Sequence, residues 1–388
     1  MLCLLSLCAC ATLQFEAKVK KRIVRLRRVP ISLRLFGVWP FMFGSRPTEY
    51  PQRLGFILTD QFSMMAFASA IETLRMANRL SDEVIYEWIL VSDNGKPVTC
   101  SNGIEVPVAG DLDVALDCVS VTVCSGLDVH RVDTALIIPF LRKAASKGLE
   151  IGAICTGAFI LAKSGLLDGH TCTIHWENLA AFTELFPDIE VTTEVFEIDR
   201  KRYSCSGGTA ALDLMLNLVA IQHGHELAAA VADQLLHERI RDHRDQQRVA
   251  LPARLGVRHP KLLAAIKAME ENLEEPLTRG ELAELACLST RQLERLFRKY
   301  MNRSPARYYL ELRLNKSRLL LLQTPMPVID VALACGFVSA SHFSKCYRDF
   351  FGKTPRQERS GTVDPGDLGY SDEETNYEEE AEYEDEAA

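Results

Sequence analysis

Between Arg53 and Ser164, unbroken apolar runs alternate with stretches in which apolar positions recur every three or four residues. Leu54-Gly55-Phe56-Ile57-Leu58 carries no polar residue, a pattern that predicts a strand covered on both faces. A helix is predicted from Met64 to Asn78, then a strand from Tyr86 to Ser92. Val119 to Cys124 predicts a further strand that ends in Ser125-Gly126, and Thr134 to Lys147 a helix. Leu149 to Ile154 predicts a strand that runs through Cys155-Thr156-Gly157 into a helix, Ala158 to Ser164. Strands alternating with helices predict an α/β domain built on a parallel sheet, with helices on both faces. No Gly-x-Gly-x-x-Gly or phosphate loop is present, so nucleotide binding has no support.

The pattern changes after residue 258. From Leu277 to Pro355 it is helical throughout, and one unit occurs twice. The first copy is Leu282 to Ser289 followed by Thr290 to Tyr300, closing at Ser304-Pro305; the second is Val331 to Ser339 followed by Ala340 to Phe351, closing at Thr354-Pro355. From the serine onward the copies lie about 50 residues apart, pairing Ser289 with Ser339, Leu293 with Phe343 and Phe297 with Tyr347. Both serines suit N-caps, because a hydroxyl accepts one of the unpaired amides of a first helical turn. Leu293, Leu296, Phe297 and Tyr300 predict a buried face in the first copy, as do Phe343, Tyr347 and Phe350 in the second. Arg291, Gln292 and Arg295 take the outer face of one helix, and Ser341, His342 and Lys345 that of the other. This is a helix-turn-helix pattern, whose second helix enters the DNA major groove by its N-terminal half. A helical bundle without a DNA role is the competing reading of a single copy; two copies in register favour DNA.

With Ala334-Cys335-Gly336-Phe337 and Phe350-Phe351-Gly352-Lys353-Thr354-Pro355 in the second copy, the segment from about His259 to Arg359 resembles the DNA-binding domain of AraC/XylS-family transcription regulators. The resemblance implies an all-α tandem helix-turn-helix domain, with Ala306 to Leu322 as the helix joining its units. It also implies double-stranded DNA as partner, with a small-molecule effector, RNA polymerase and a second copy of the chain as further partners.

Charge sharpens this division. The net charge of -8 averages a basic domain with an acidic tail. Residues 259–359 hold seventeen Lys and Arg against eleven Asp and Glu, whereas twelve acidic residues and no Lys or Arg follow from Asp364 onward. Residues 360–388 are therefore expected to be a disordered, solvated tail, or else a DNA mimic that competes for the basic domain. Met1 to Thr12 is apolar and Lys18 to Arg28 basic, the reverse of a signal peptide, and the apolar run is too short to span a bilayer. Residues 1–50 are expected to be a leader outside the first domain, either a non-native start or a disordered arm, with no membrane role. The twelve cysteines form no Cys-x-x-Cys pair, so buried thiols in a reducing, cytoplasmic compartment are expected rather than a metal site. No cofactor is indicated.

One feature of the first domain has the chemistry of an enzyme. A cysteine between a buried strand and a helix meets free amides and the positive end of the helix dipole, which lower a thiol pKa. Ala153-Ile154-Cys155-Thr156-Gly157-Ala158, with Thr173-Ile174-His175-Trp176 and Cys205-Ser206-Gly207-Gly208-Thr209 beyond it, resembles the ThiJ/PfpI branch of the glutamine amidotransferase-like, flavodoxin-like folds. Active relatives carry an acid in a pattern like Phe-Ser-x-x-Asp-x-x-Gly-Pro; here Phe62-Ser63-Met64-Met65-Ala66 puts Ala66 at that position. The expectation is a domain that binds and does not catalyse, with Cys155, Thr156, His175 and Trp176 as ligand contacts. Helix amides at the Cys155 turn would receive a carboxylate and Trp176 a cationic group, which suits a zwitterion. Fusion to a tandem helix-turn-helix occurs within the AraC/XylS family, and the Met64 to Ala70 helix is similar to members that respond to arginine, carnitine or glycine betaine. The runner-up is a cysteine-dependent hydrolase or hydratase with a DNA-binding appendage. The expected domains are 51–241 for the sensor, 242–258 for a polar linker and 259–359 for DNA binding.

Overall fold

The computed structural model describes residues 50–360. Its first half is a sheet sandwiched between helices. In chain order come β1 (Gln52–Leu58), α1 (Met64–Leu80), β2 (Tyr86–Val91), the two-stranded hairpin β3 (Val98–Thr99) and β4 (Glu105–Val106), β5 (Ser120–Cys124), α2 (Ile137–Ser146), β6 (Glu150–Ile154) and α3 (Gly157–Lys163). There follow β7 (Thr171–Thr173), α4 (Leu179–Leu185), β8 (Glu190–Thr192), β9 (Phe196–Asp199), β10 (Arg202–Cys205), α5 (Ala210–His223) and α6 (His225–Gln234). The main sheet runs β2-β1-β5-β6-β10-β9 and is parallel but for the β9–β10 pair.

The apolar runs explain the layering. Every residue of β5 is buried, as is all of β1 after Arg53. Residues on the two sides of these strands feed two separate cores: Phe56, Leu58 and Cys124 pack with α1, α5 and α6, and Ile57, Val121 and Val123 with α2 and α3. At about 25 cal/mol per Å² of apolar surface, this two-sided burial is the dominant stabilising term. Helix α6 stops at Gln234, and an irregular segment takes the chain onward.

The second half is all helix: α7 (Leu251–Leu255), α8 (Pro260–Glu271), α9 (Arg279–Leu285), α10 (Thr290–Met301), α11 (Pro305–Gln323), α12 (Val328–Ala334), α13 (Ala340–Phe351) and α14 (Pro355–Ser360). Leu262, Ile266, Leu282, Leu293 and Phe297 form one core and Leu314, Leu321, Val331, Phe343 and Tyr347 another, with α11 contributing to both. The second core also takes in Ala180 and Ala181 from α4 of the first half. Ser289 and Ser339 cap α10 and α13 as expected. Two positions depart from expectation: Tyr300 and Phe350, assigned to buried faces, are 40% and 41% exposed. Each is the next-to-last residue of its helix. The leader and the acidic tail fall outside the described residues. No described helix is long and apolar enough to cross a membrane.

Candidate functional site

The two turns of the helical half differ by one residue. In the first, Cys287 donates to the Glu284 carbonyl and Leu288 to that of Ala283, and Ser289 follows at once. In the second, Gly336 donates to Leu333 and Phe337 to Ala332, and Val338 intervenes before Ser339. Cys287 and Gly336 both take positive φ, at 52° and 77°. Gly336 has no alternative, because a Cβ there would lie 2.8 Å from the Leu273 carbonyl oxygen and 2.7 Å from Pro276 Cγ.

Among the outer-face residues, Arg291, Arg295, Ser341 and Lys345 are exposed. Gln292 is exposed but engaged: its Oε1 accepts from the Ser289 amide at 2.9 Å, closing a capping box. His342 is half-buried, with Nε2 3.2 Å from Cys346 Sγ and its ring against Phe337. Both were expected to read bases; both are also tied into their own unit. Sequence reasoning missed Arg313. Its guanidinium is buried, donates at 2.8 Å to the carbonyls of both Cys335 and Gly336, and stacks over Phe337 at 4.1 Å. It thereby holds the second turn to α11.

In the first half, Cys155 keeps the geometry of a strained elbow, with φ 61°. Burial pushes its thiol pKa from 9.0 up to about 12, against the expectation that helix amides would lower it. Desolvation dominates because β6 and α3 are buried almost throughout. Ala66, at the acid position, is fully buried. Thr156 is also buried and donates its hydroxyl to the Gly126 carbonyl.

The cavity lies one layer away from the thiol. It has a volume of about 200 Å³ and is lined by His175, Trp176, Gln247, Arg241 and the Ser206–Ala210 turn. That is below the ~300–1,000 Å³ of drug-sized pockets. Cys155 and Thr156 do not line it. Gly207 stands between, so close that a Cβ on it would come within 2.7 Å of Cys155 Cβ. Burial holds His175 below its usual pKa and therefore neutral near pH 7, with Nδ1 accepting from the Glu177 amide at 3.4 Å.

Arg241 and Gln247 come from the stretch assigned to the domain edge and the polar linker. Arg241 reaches the fully buried carboxylate of Asp213, donating through its amide at 2.7 Å and Nε at 2.8 Å, while His237 Nε2 lies 2.8 Å from the same group. Arg241 also donates to Thr209 Oγ1 at 2.6 Å. Gln247 Nε2 donates to Thr173 Oγ1 and the Ile174 carbonyl, both at 2.9 Å. Backbone bonds from Val195 to Asp245 and from Gln247 to Thr193 stitch the segment along the domain. Arg241 and Gln247, the two ends of this segment, thus line the cavity. Among the described residues no cluster of His, Cys, Asp and Glu could hold a metal ion.

Residues 52–221 match the DJ-1/PfpI family, and residues 282–361 the family described as a helix-turn-helix domain. The HTH-type transcriptional regulator GbdR of Pseudomonas aeruginosa is 50% identical over 313 residues, covering 80% of this chain and 85% of that protein. The chain belongs to the AraC/XylS family of transcription regulators. Two further regulators of that organism agree in span. CdhR is 44% identical over 309 residues (80% of this chain, 92% of the relative), and ArgR 42% over 313 residues (81% and 94%). In this AraC/XylS regulator the helical half is the DNA-binding domain, and the α/β half is of the DJ-1/PfpI type.

Proposed function

We propose that the chain binds a small zwitterion in the cavity behind Trp176 and adjusts operator binding in response, without turning the ligand over. The observation that carries this reading is the pairing of opposite preferences in one small cavity. Arg241 and the N-terminal turn of α5 favour a carboxylate, and Trp176 offers a π-face to a cation. Relative to the expectation from sequence, the carboxylate end moves from the Cys155 turn to the Gly207–Ala210 turn. Against chemistry stand the buried, protonated Cys155 thiol and Ala66 where an acid would be needed.

On the DNA side, Arg291 and Arg295 read one box and Ser341 and Lys345 the other, with Gln292 and His342 in supporting positions. A cytoplasmic site of action, a second copy of the chain and RNA polymerase belong to the same reading; family membership supports them. Calorimetry of the full-length protein against amino acids and methylated amino acids tests the ligand. Saturable binding that Arg241→Met abolishes is expected. Product formation that disappears in Cys155→Ser would overturn the reading in favour of a hydrolase or hydratase.

A further inference from the structure

Arg248 follows directly on Gln247, and its guanidinium carbon lies 4.5 Å from the centroid of the Trp176 ring. The chain's own cation thus stacks on an aromatic ring that lines the cavity. Only Val249 and Ala250 separate Arg248 from α7, where the helical half begins. Resting on the cavity reading above, we propose that Arg248 is an internal competitor for Trp176. A cationic ligand that takes the ring releases Arg248, and with it the end of the 241–248 segment that leads into the DNA-binding domain.

The two anchors of this segment are of different kinds. Its early part is fixed by Asp213 and by backbone bonds at Thr193 and Val195, none of which a ligand on Trp176 would disturb. Its last residue lies over the ring, with Arg254, Glu270 and Tyr308 of the helical half also within electrostatic reach, and both ring and guanidinium are exposed. Exchange of one cation for another at an exposed ring costs little, because the released guanidinium regains water. Residues 248–250 therefore gain freedom while 241–247 stay in place, with Arg241 and Gln247 still lining the cavity. The ligand signal reaches the DNA-binding domain through the loosened connection, with no rearrangement of the sheet.

The test uses full-length protein and two probes of nearly equal shape, glycine betaine and its carbon analogue tert-butylacetate, which keeps the carboxylate and lacks the cation. Affinities are measured by calorimetry for wild type, Arg248→Ala, Trp176→Leu and the double variant, with amide exchange followed at residues 245–250. Arg248→Ala should bind betaine about 2- to 5-fold tighter, the size expected from an exposed cation–π contact. The gain should be absent for tert-butylacetate and absent in the Trp176→Leu background. In wild type, betaine should speed exchange at residues 248–250. Wild type that binds neither betaine nor any other zwitterion of the panel would remove the cavity reading itself. Wild type that binds it while Arg248→Ala binds equally or more weakly would overturn the competitor alone. A gain shared by both probes would do the same, making Arg248 a steric cover.

Discussion

Arg313, on the helix that joins the two DNA-binding units, donates at 2.8 Å to the carbonyl oxygen of Cys335 in the second unit's turn. One side chain of the connecting helix therefore fixes the turn that aims α13. Arg313→Leu leaves two turn carbonyls without their donors and should destabilise the domain by about 2–4 kcal/mol. Arg313→Lys should recover less than half of that, since an ammonium cannot span both carbonyls while stacking on Phe337. Urea unfolding checks the magnitudes, and footprinting should show protection of one operator box weakened more than the other.

Gly336→Ala should cost about 2 kcal/mol or more, because a left-handed φ and a clash with Leu273 act together. Cys287→Gly, at the matching turn, should be neutral or slightly stabilising, since it relieves a left-handed non-glycine residue that is exposed. Thermal melting should show a clear drop for Gly336→Ala and no drop for Cys287→Gly.

The outer faces of α10 and α13 give a graded prediction. Arg291→Ala and Arg295→Ala should each cost about 1–3 kcal/mol of operator affinity and relax preference within one box. Gln292→Ala should instead lower stability by about 1 kcal/mol through its cap, with a smaller loss of base preference. Competition binding against single-base operator variants distinguishes them; full loss of discrimination in Gln292→Ala would restore it as a base reader.

Buried thiols predict a stability decline at high pH. In the folded chain Cys155 and Cys172 are pushed from 9.0 to about 12 by burial, so both states hold the proton below pH 9. Above that the unfolded chain loses protons that the folded chain keeps. Stability should then fall by about 1.4 kcal/mol per pH unit for each such thiol until its folded pKa is reached. Cys155→Ala should reduce the slope by one thiol. Mild alkylation at neutral pH should label exposed Cys287 long before Cys155.

The strands, the repeat and the serine caps were legible because each is a local pattern: unbroken apolar runs, apolar residues on one helix face, a hydroxyl before a helix. Cys155 was located correctly but its environment was misread. Helix dipole and desolvation act on the same thiol with opposite sign, and only the depth of burial decides between them. Arg241 and Gln247 were passed over because polar residues in an irregular stretch carry no periodicity. Their partners, Asp213 and Thr173, lie 28 and 74 residues away. Arg313 escaped for a related reason: an arginine on a helix is ordinarily solvent-facing, and its two acceptors are backbone atoms of another helix's end.

The place of Arg241 and Gln247 in the cavity lining also bears on how such a regulator can be recombined. A hybrid that grafts this α/β half onto a foreign DNA-binding half, spliced where the regular helices end near Gln234, would leave part of the cavity with the discarded piece. A splice after Gln247 keeps the cavity whole yet gives up the residue that stacks on Trp176. Moving the junction by one residue, to follow Arg248, carries both, so the natural unit of exchange in this protein ends between Arg248 and Leu251 rather than at the edge of its sheet.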